Sequence, residues 1–342
     1  MGWRGTLRSV NATLNQIERE NKRRQKERDK YLAIEEAAVA VREFEDHLDW
    51  LTQIHQAKQK PLDWQQLSRE LEPIAPVRQN SRETSARQVL EEWKPNWFHK
   101  KLGTEQRRRT KLENEIENAI AADQAEFEAQ TTAFSLAHKR WKTSVGLAKD
   151  VLKFNPEATI EAVEKHGRLE TIGPIGKQVR VTISDSGILC VDVELNPPDI
   201  IPDYYLIQTQ SGKLSERKMP AGRRNSLYLE HVASSLIAVA ARVLSVVPAD
   251  AVLVNGIRNS LVPSTGHHED QPYLSVWFVR ETLEKLYLER VEAAHALENF
   301  VASVSFKKTA GLSPVKPVIP PGSSFPPIVD GQASYPPPGC GP

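Results

Sequence analysis

Hydrophobic positions along the chain follow two different periods. From Thr6 to Lys60 there is neither glycine nor proline. Within that stretch Ile34, Val41 and Leu48 recur every seven residues, and Ala37, Phe44 and Leu51 sit three positions further on in each repeat. A second stretch, Thr104 to Val145, also lacks both breakers. It leads into a row at the same spacing, Ile120, Phe127, Phe134, Trp141 and Ala148, with Leu112 and Ile116 upstream. Rows of this kind are the a and d positions of helices that bury one face, and nothing in either stretch ends a helix. The spacing predicts two long helices folded back as an antiparallel, coiled-coil-like hairpin, stripe against stripe. A short stripe, Val10, Leu14 and Ile17, precedes the first seam, and Glu18 to Lys30 between them holds no apolar residue. That run cannot bury a face, so a solvated helix held by ion pairs along its surface is expected.

The connector, 61–102, is punctuated by Pro61, Pro73, Pro76 and Pro95 and carries short helical patterns at 62–71 and 84–93. Trp50, Trp64, Trp93, Trp97 and Phe98 fall in or beside it, which predicts a small helical head around a tryptophan-rich core.

Past residue 155 the period shortens. Asn155-Pro156-Glu157 reads as a cap, a first-turn proline and an acid at the positive end of a helix dipole, predicting a helix to His166 stopped by Gly167. The runs 178–183 and 188–195 alternate and are β-rich, with Asp185-Ser186-Gly187 between them as a hairpin signal. Further strands are expected at 204–208, 251–257 and 273–279, with a short one after the turn 210–213. A polar loop, 263–272, leads into the last of them. Residues 225–247 are apolar around most of the helix barrel and should lie buried on the sheet. Glu230, His231 and Arg242 interrupt the run, so a core helix is expected and no transmembrane segment. Helices at 281–288 and 293–300 close the domain. From Gly311 proline and glycine dominate, predicting an extended, disordered tail. The fold class is α+β. Residues 1–153 form the hairpin with its head at 61–102, 154–308 a compact α/β domain with a mixed sheet, and 309–342 the tail.

Composition adds exclusions. The formal net charge is +1, so charge matters only in patches. Two distant cysteines, Cys190 and Cys340, exclude a disulfide scaffold and a multi-cysteine zinc site. Met1 to Ile17 has no unbroken apolar core of a secretory signal, and a cytoplasmic protein is expected.

Basic runs are the first candidate sites. His99 to Lys111 sets Lys100, Lys101, Arg107, Arg108, Arg109 and Lys111 against Glu105 alone. Lys213, Arg217, Lys218, Arg223 and Arg224 are opposed only by Glu216, stand just before a helix start and follow Tyr204 and Tyr205. Basic residues beside aromatics suit nucleic acid or another anion. The loop at 265–270 holds His267, His268, Glu269 and Asp270, the densest ligand-capable group. Neighbouring side chains on an extended chain point to opposite sides, so no metal site and no cofactor are expected, with His267 and Glu269 kept as weak catalytic candidates. No Gly-x-Ser-x-Gly and no glycine-rich phosphate loop is present.

The order helix, three strands, helix, strand over 155–257 resembles the PD-(D/E)XK nuclease core in element order alone. That resemblance would place metal-holding carboxylates at Asp192 and Glu194, and an acid or glutamine with a lysine two residues later on the third strand. Gln208 is followed there by Gln210, and Lys213 lies beyond the turn. The runs LSERKMPAGR, TGHHEDQPYLSVWFVRETLEKL and ENFVASVSFKKT are similar to a family of uncharacterised bacterial proteins with a charged helical N-terminal region. This likeness implies a bacterial cytosolic origin and transfers no catalytic residue. The expected function is that of an interaction or scaffold protein, more a binder than an enzyme, using the hairpin for self-association or a protein partner. A nucleic-acid binder using 99–111 and 213–224 is the alternative, and a nuclease-like or metal-dependent enzyme the second.

Overall fold

The computed structural model describes residues 3–325 apart from Lys58, Asn96, 98–102 and Pro263, with side chains from Glu18 onward. The side chains of the expected stripe Val10, Leu14 and Ile17 lie outside the described ones, and Phe98, Lys100, Lys101 and the last part of the tail lie outside the described residues. The chain divides into two compact units: residues 1–62 with 154–342, and residues 63–153. The first 62 residues therefore group with the α/β residues.

In the first unit a five-stranded mixed sheet has the order β1-β2-β5-β6-β7. Its strands are β1 (Val179–Ile183), β2 (Leu189–Glu194), β5 (Ala251–Leu261), β6 (His268–Val279) and β7 (Val301–Val304). β2 and β5 run parallel, and every other pairing is antiparallel. The crossover between β2 and β5 contains a separate ribbon, β3 (Tyr204–Gln208) with β4 (Leu214–Lys218), and then a long helix, Ala221–Val246 (α6). This helix is the one apolar enough by length and composition to cross a membrane among the described residues, and most of it is buried inside the protein. Val191, Val193, Val252, Val254, Leu274, Val276 and Phe278, all fully buried, form the sheet face that it covers. A shorter helix, Pro156–Gly167 (α5), starts as its sequence predicts: Asn155 Oδ1 accepts from Ala158 N at 3.0 Å and Pro156 takes the first position.

The other sheet face is covered at one end by the proline-rich segment. That segment is extended, as its composition predicts, but it is fixed in place up to Phe325. Gly311–Leu312 (β9) pairs with Phe306–Lys307 (β8), and Val315 N donates to Pro272 O at 2.8 Å. Val318 packs with Ala251, Leu253 and Trp277. Ser324 Oγ accepts from Leu189 N at 2.7 Å. Proline forbids a helix there without forbidding burial, and the N–H groups of Val315, Val318 and Ser324, with those of Leu189 and Ala251 donating to Ser324, supply the bonds that proline cannot.

The first helix, α1, spans Trp3–Thr52. Its heptad seam is a buried face, as expected: Ala37, Phe44, Leu48 and Leu51 are buried, with Ile34 and Val41 half-buried. The surface that covers it is the β3–β4 ribbon and α6. The Phe44 and Tyr204 rings lie 5.5 Å apart, Gln208 Nε2 donates to Ile34 O at 2.7 Å, and His231 Nδ1 donates to Leu51 O at 2.8 Å. From Glu18 to Ala33 every side chain is exposed.

The second unit is helical. α2 (Trp64–Ser68) and α3 (Ser81–Glu92) lie on α4 (Glu105–Leu152). The stripe of α4 thus finds its cover in the connector: Leu112 and Ile116 are buried, and Ile120, Phe127, Phe134 and Trp141 are half-buried. Trp141 Nε1 donates to Glu70 O at 2.9 Å, and Asp123, buried on α4, accepts from Glu83 N at the start of α3 at 3.0 Å. The tryptophans do not share one core. Trp64 is buried, Trp93 half-buried, while Trp50 and Trp97 are 55% and 63% exposed.

Candidate functional site

Strand register places a polar row across the outer sheet face. Arg180 lies opposite Asp192, Asp192 opposite Asn255, and Asn255 opposite Ser275. The inner three are bonded in series. Ser275 Oγ accepts from Val318 N at 2.9 Å and donates to Asn255 Oδ1 at 2.6 Å, and Asn255 Nδ2 donates to Asp192 Oδ1 at 2.9 Å. Ser275 and Asn255 are buried, so each needs these partners. Cys190 Sγ stands 3.6 Å from the same Asp192 oxygen. Burial first, and then the Asp192 carboxylate, pushes the Cys190 thiol up to about 12, far from a reactive thiolate.

Asp192 and Glu194, the carboxylates singled out in the sequence, share a cleft with Gln178, Arg180, Ile257 and Asp270. Its volume is about 50 Å³, room for one or two waters and too small for an organic substrate. Gln208 sits in the separate β3–β4 ribbon, where its amide donates to Ile34 O and Gly212 O. It is therefore committed to holding α1 and stands in a different sheet from Asp192.

The expected polar loop at 263–272 is shorter than predicted. β5 and β6 stay paired out to Leu261 and His268, because antiparallel pairing satisfies backbone groups that a loop would leave to water. The turn closes with Gly266 at φ +69° and a bond from Val262 N to His267 O at 2.9 Å. His267, His268, Glu269 and Asp270 are exposed. Asp270 accepts from Asn259 and Glu269 from Thr265, so the two carboxylates are directed to different neighbours and the four side chains do not converge. Among the described residues no group of three or more His, Cys, Asp or Glu is placed to hold a metal.

The basic runs separate into structural and exposed members. Arg224 is half-buried and bonded to the backbone: Nε donates to Ile201 O at 2.9 Å and Nη2 to Pro198 O at 3.3 Å. Lys213, Arg217, Lys218 and Arg223 are exposed, and the Arg223 guanidinium lies 5.1 Å from the Tyr205 ring centroid. Asn225 Nδ2 donates to Lys308 O at 2.8 Å, which brings Lys307 and Lys308 to the same helix start. The sequence gives no sign of this, since the pairing spans 83 residues. Arg107, Arg108 and Arg109 occupy the first turns of α4, where Arg109 pairs with Glu113 at 3.3 Å.

Two larger clefts hold none of the residues expected from sequence. One, of about 640 Å³, lies between α5 and the open edge of β1. The other, of about 650 Å³, is lined by His55, Pro61, Leu244, Leu283 and neighbouring residues. His55 is not free for chemistry there. Val291 O can only accept, so Nε2 carries the proton, and Nδ1 accepts from Ser234 Oγ at 2.8 Å.

Compared with protein-family models, curated proteins and solved structures, the chain matches none.

Proposed function

We propose that the protein is an interaction protein: an α/β body that holds one end of a long helix and presents the other end to a macromolecular partner. The observation that carries this reading is the change in environment along α1. Its seam is buried from Ile34 to Leu51, whereas every side chain from Glu18 to Ala33 is exposed. A free helix of this composition is marginal in water, because helical stability comes mainly from packing one face. The docked seam supplies that stability and lets the exposed turns persist as a projecting surface. The side-chain clusters on the sheet favour the same reading. Ser275, Asn255 and Asp192 spend hydrogen bonds on one another.

A photo-crosslinking amino acid at Asn21 or Gln25, both on the projecting turns, tests this against the same probe at Asp185 on the β1–β2 turn. Adducts formed in cells should concentrate at the two helix positions. Equal labelling at all three, or none, would sink the reading.

A further inference from the structure

We infer that the projecting part of α1 is a docking surface for the phosphate backbone of double-stranded nucleic acid; this rests on the interaction reading above and names its partner. In the sequence the charges of 18–30 look mixed. On the helix five of the seven cations share one side, with Arg24, paired to Glu20, and Arg28 on the other. At about 100° per residue, Arg19, Lys22, Arg23, Lys26 and Lys30 fall within an arc of roughly 100°. They line one shallow groove together with Glu27. Glu18 and Asp29 fall on one flank of this arc and Glu20 and Glu27 on the other. Lys22 pairs with Glu18 at 2.5 Å and Arg23 with Glu27 at 3.1 Å. Arg19, Lys26 and Lys30 form no ion pair among the described residues, which leaves a line of unneutralised cations about 16 Å long.

The basic arc is in phase with the apolar seam. Ile34, Ala37, Phe44 and Leu48 lie on nearly the same arc by the same count, and that arc faces the β3–β4 ribbon. The cations therefore continue the arc of the seam beyond Ile34, which meets Gly212 in the ribbon's turn beside the exposed Lys213. Lys213 adds a further cation beside the end of the stripe.

The chemistry selects among polyanions. The face carries no apolar residue from Glu18 to Lys30, so it lacks the surface that a helix lying in a membrane interface must bury. It carries no aromatic residue, so it lacks the stacking platform of a single-strand binder. A duplex presents one charge per roughly 1.7 Å of axis, and a straight cationic line of this length suits its backbone without reading bases.

The test is fluorescence anisotropy of the full chain with a labelled 20-base-pair duplex across a salt series. The wild type is compared with Arg19→Gln, Lys26→Gln, Lys30→Gln combined, and with the charge-keeping set Arg19→Lys, Lys26→Arg, Lys30→Arg. All three positions are exposed, and circular dichroism checks that the helix is retained. The neutralised variant should lower the slope of log affinity against log salt by roughly 2.7, about a 40-fold difference in salt sensitivity between 50 and 200 mM. The charge-keeping set should bind as wild type. An unchanged slope overturns the proposal, and so does binding to phosphatidylserine vesicles without binding to duplex. If duplex binding is absent while nuclease-resistant adducts still form at Asn21, the nucleic-acid assignment falls and the projecting-helix reading stands.

Discussion

The buried His231 imidazole donates through Nδ1 to the Leu51 carbonyl, 2.8 Å away across 180 residues of chain. The bond fastens the end of α1 to the core helix. Burial holds the His231 pKa below its ordinary 6.5, and the bond to Leu51 only partly offsets this. Because the folded state binds the proton less readily than the unfolded chain, the neutral ring stabilises the fold above about pH 6.5. That stability is lost as pH falls through and below this value.

Urea unfolding at pH 7.5 and 5.5 should therefore show a lower midpoint at the acid pH, with part of the drop removed by His231→Leu. His166, lowered by partial burial and by Lys165 and Arg168, contributes to the same trend, so the difference between the two proteins is what counts. At pH 7.5 the variant should lose about 1–3 kcal/mol, since Leu51 O is left without its donor. Identical pH profiles for wild type and variant would contradict this account.

Gly212 fixes how closely the ribbon approaches α1. Its φ is +80°, and a Cβ there would stand 2.5 Å from Ile34 Cγ1. Gly212→Ala should cost about 2–4 kcal/mol, combining left-handed strain with overpacking. Hydrogen exchange should speed up around Ile34 to Phe44 and change little in β5 and β6. Unaltered protection in α1 would mean that the ribbon does not hold it.

The thiol of Cys190 should be nearly silent. With a pKa of about 12 against an ordinary 9.0, its thiolate fraction at pH 8 falls roughly a thousandfold. A disulfide reagent applied to the Cys340→Ser protein should react on the timescale of unfolding. Asp192→Asn should accelerate the reaction only modestly, because burial is the larger cause. A fast native reaction would show that the row on the outer sheet face is open.

Asp123 on α4 caps a helix other than its own. Asn80, at the cap position of α3, makes no side-chain cap bond, and Asp123 Oδ2 accepts from Glu83 N instead. Asp123→Ala should cost about 1–3 kcal/mol and fray α3 first. Exchange protection over Ser81–Glu92 is the measurement, and retained protection there would refute the capping role.

The candidate site was readable only in part. Asp192 and Glu194 stand out in sequence as alternating acids on a predicted strand. Their neighbours Arg180, Asn255 and Ser275 do not, because register across strands separated by many residues brings them together. Arg223 and Arg224 look equivalent side by side, yet one lies over Tyr205 and the other is consumed by two carbonyls. The basic arc on α1 is present in the sequence, but it emerges only when 18–30 is wound at the helical period.

By itself the sequence determined what depends on neighbouring residues: both long helices, the Asn155-Pro156 helix start, the turn at Gly187 and the buried character of α6. These follow from period, capping and backbone freedom, which act within a few residues. Only the tertiary structure decided which surface covers each apolar stripe, that the proline-rich segment up to Phe325 is fixed to the sheet, and that His268 to Asp270 continue a strand. An amphipathic face specifies that something apolar must cover it and leaves open which element does so. That choice is made by shape and hydrogen-bond satisfaction between residues far apart in the chain.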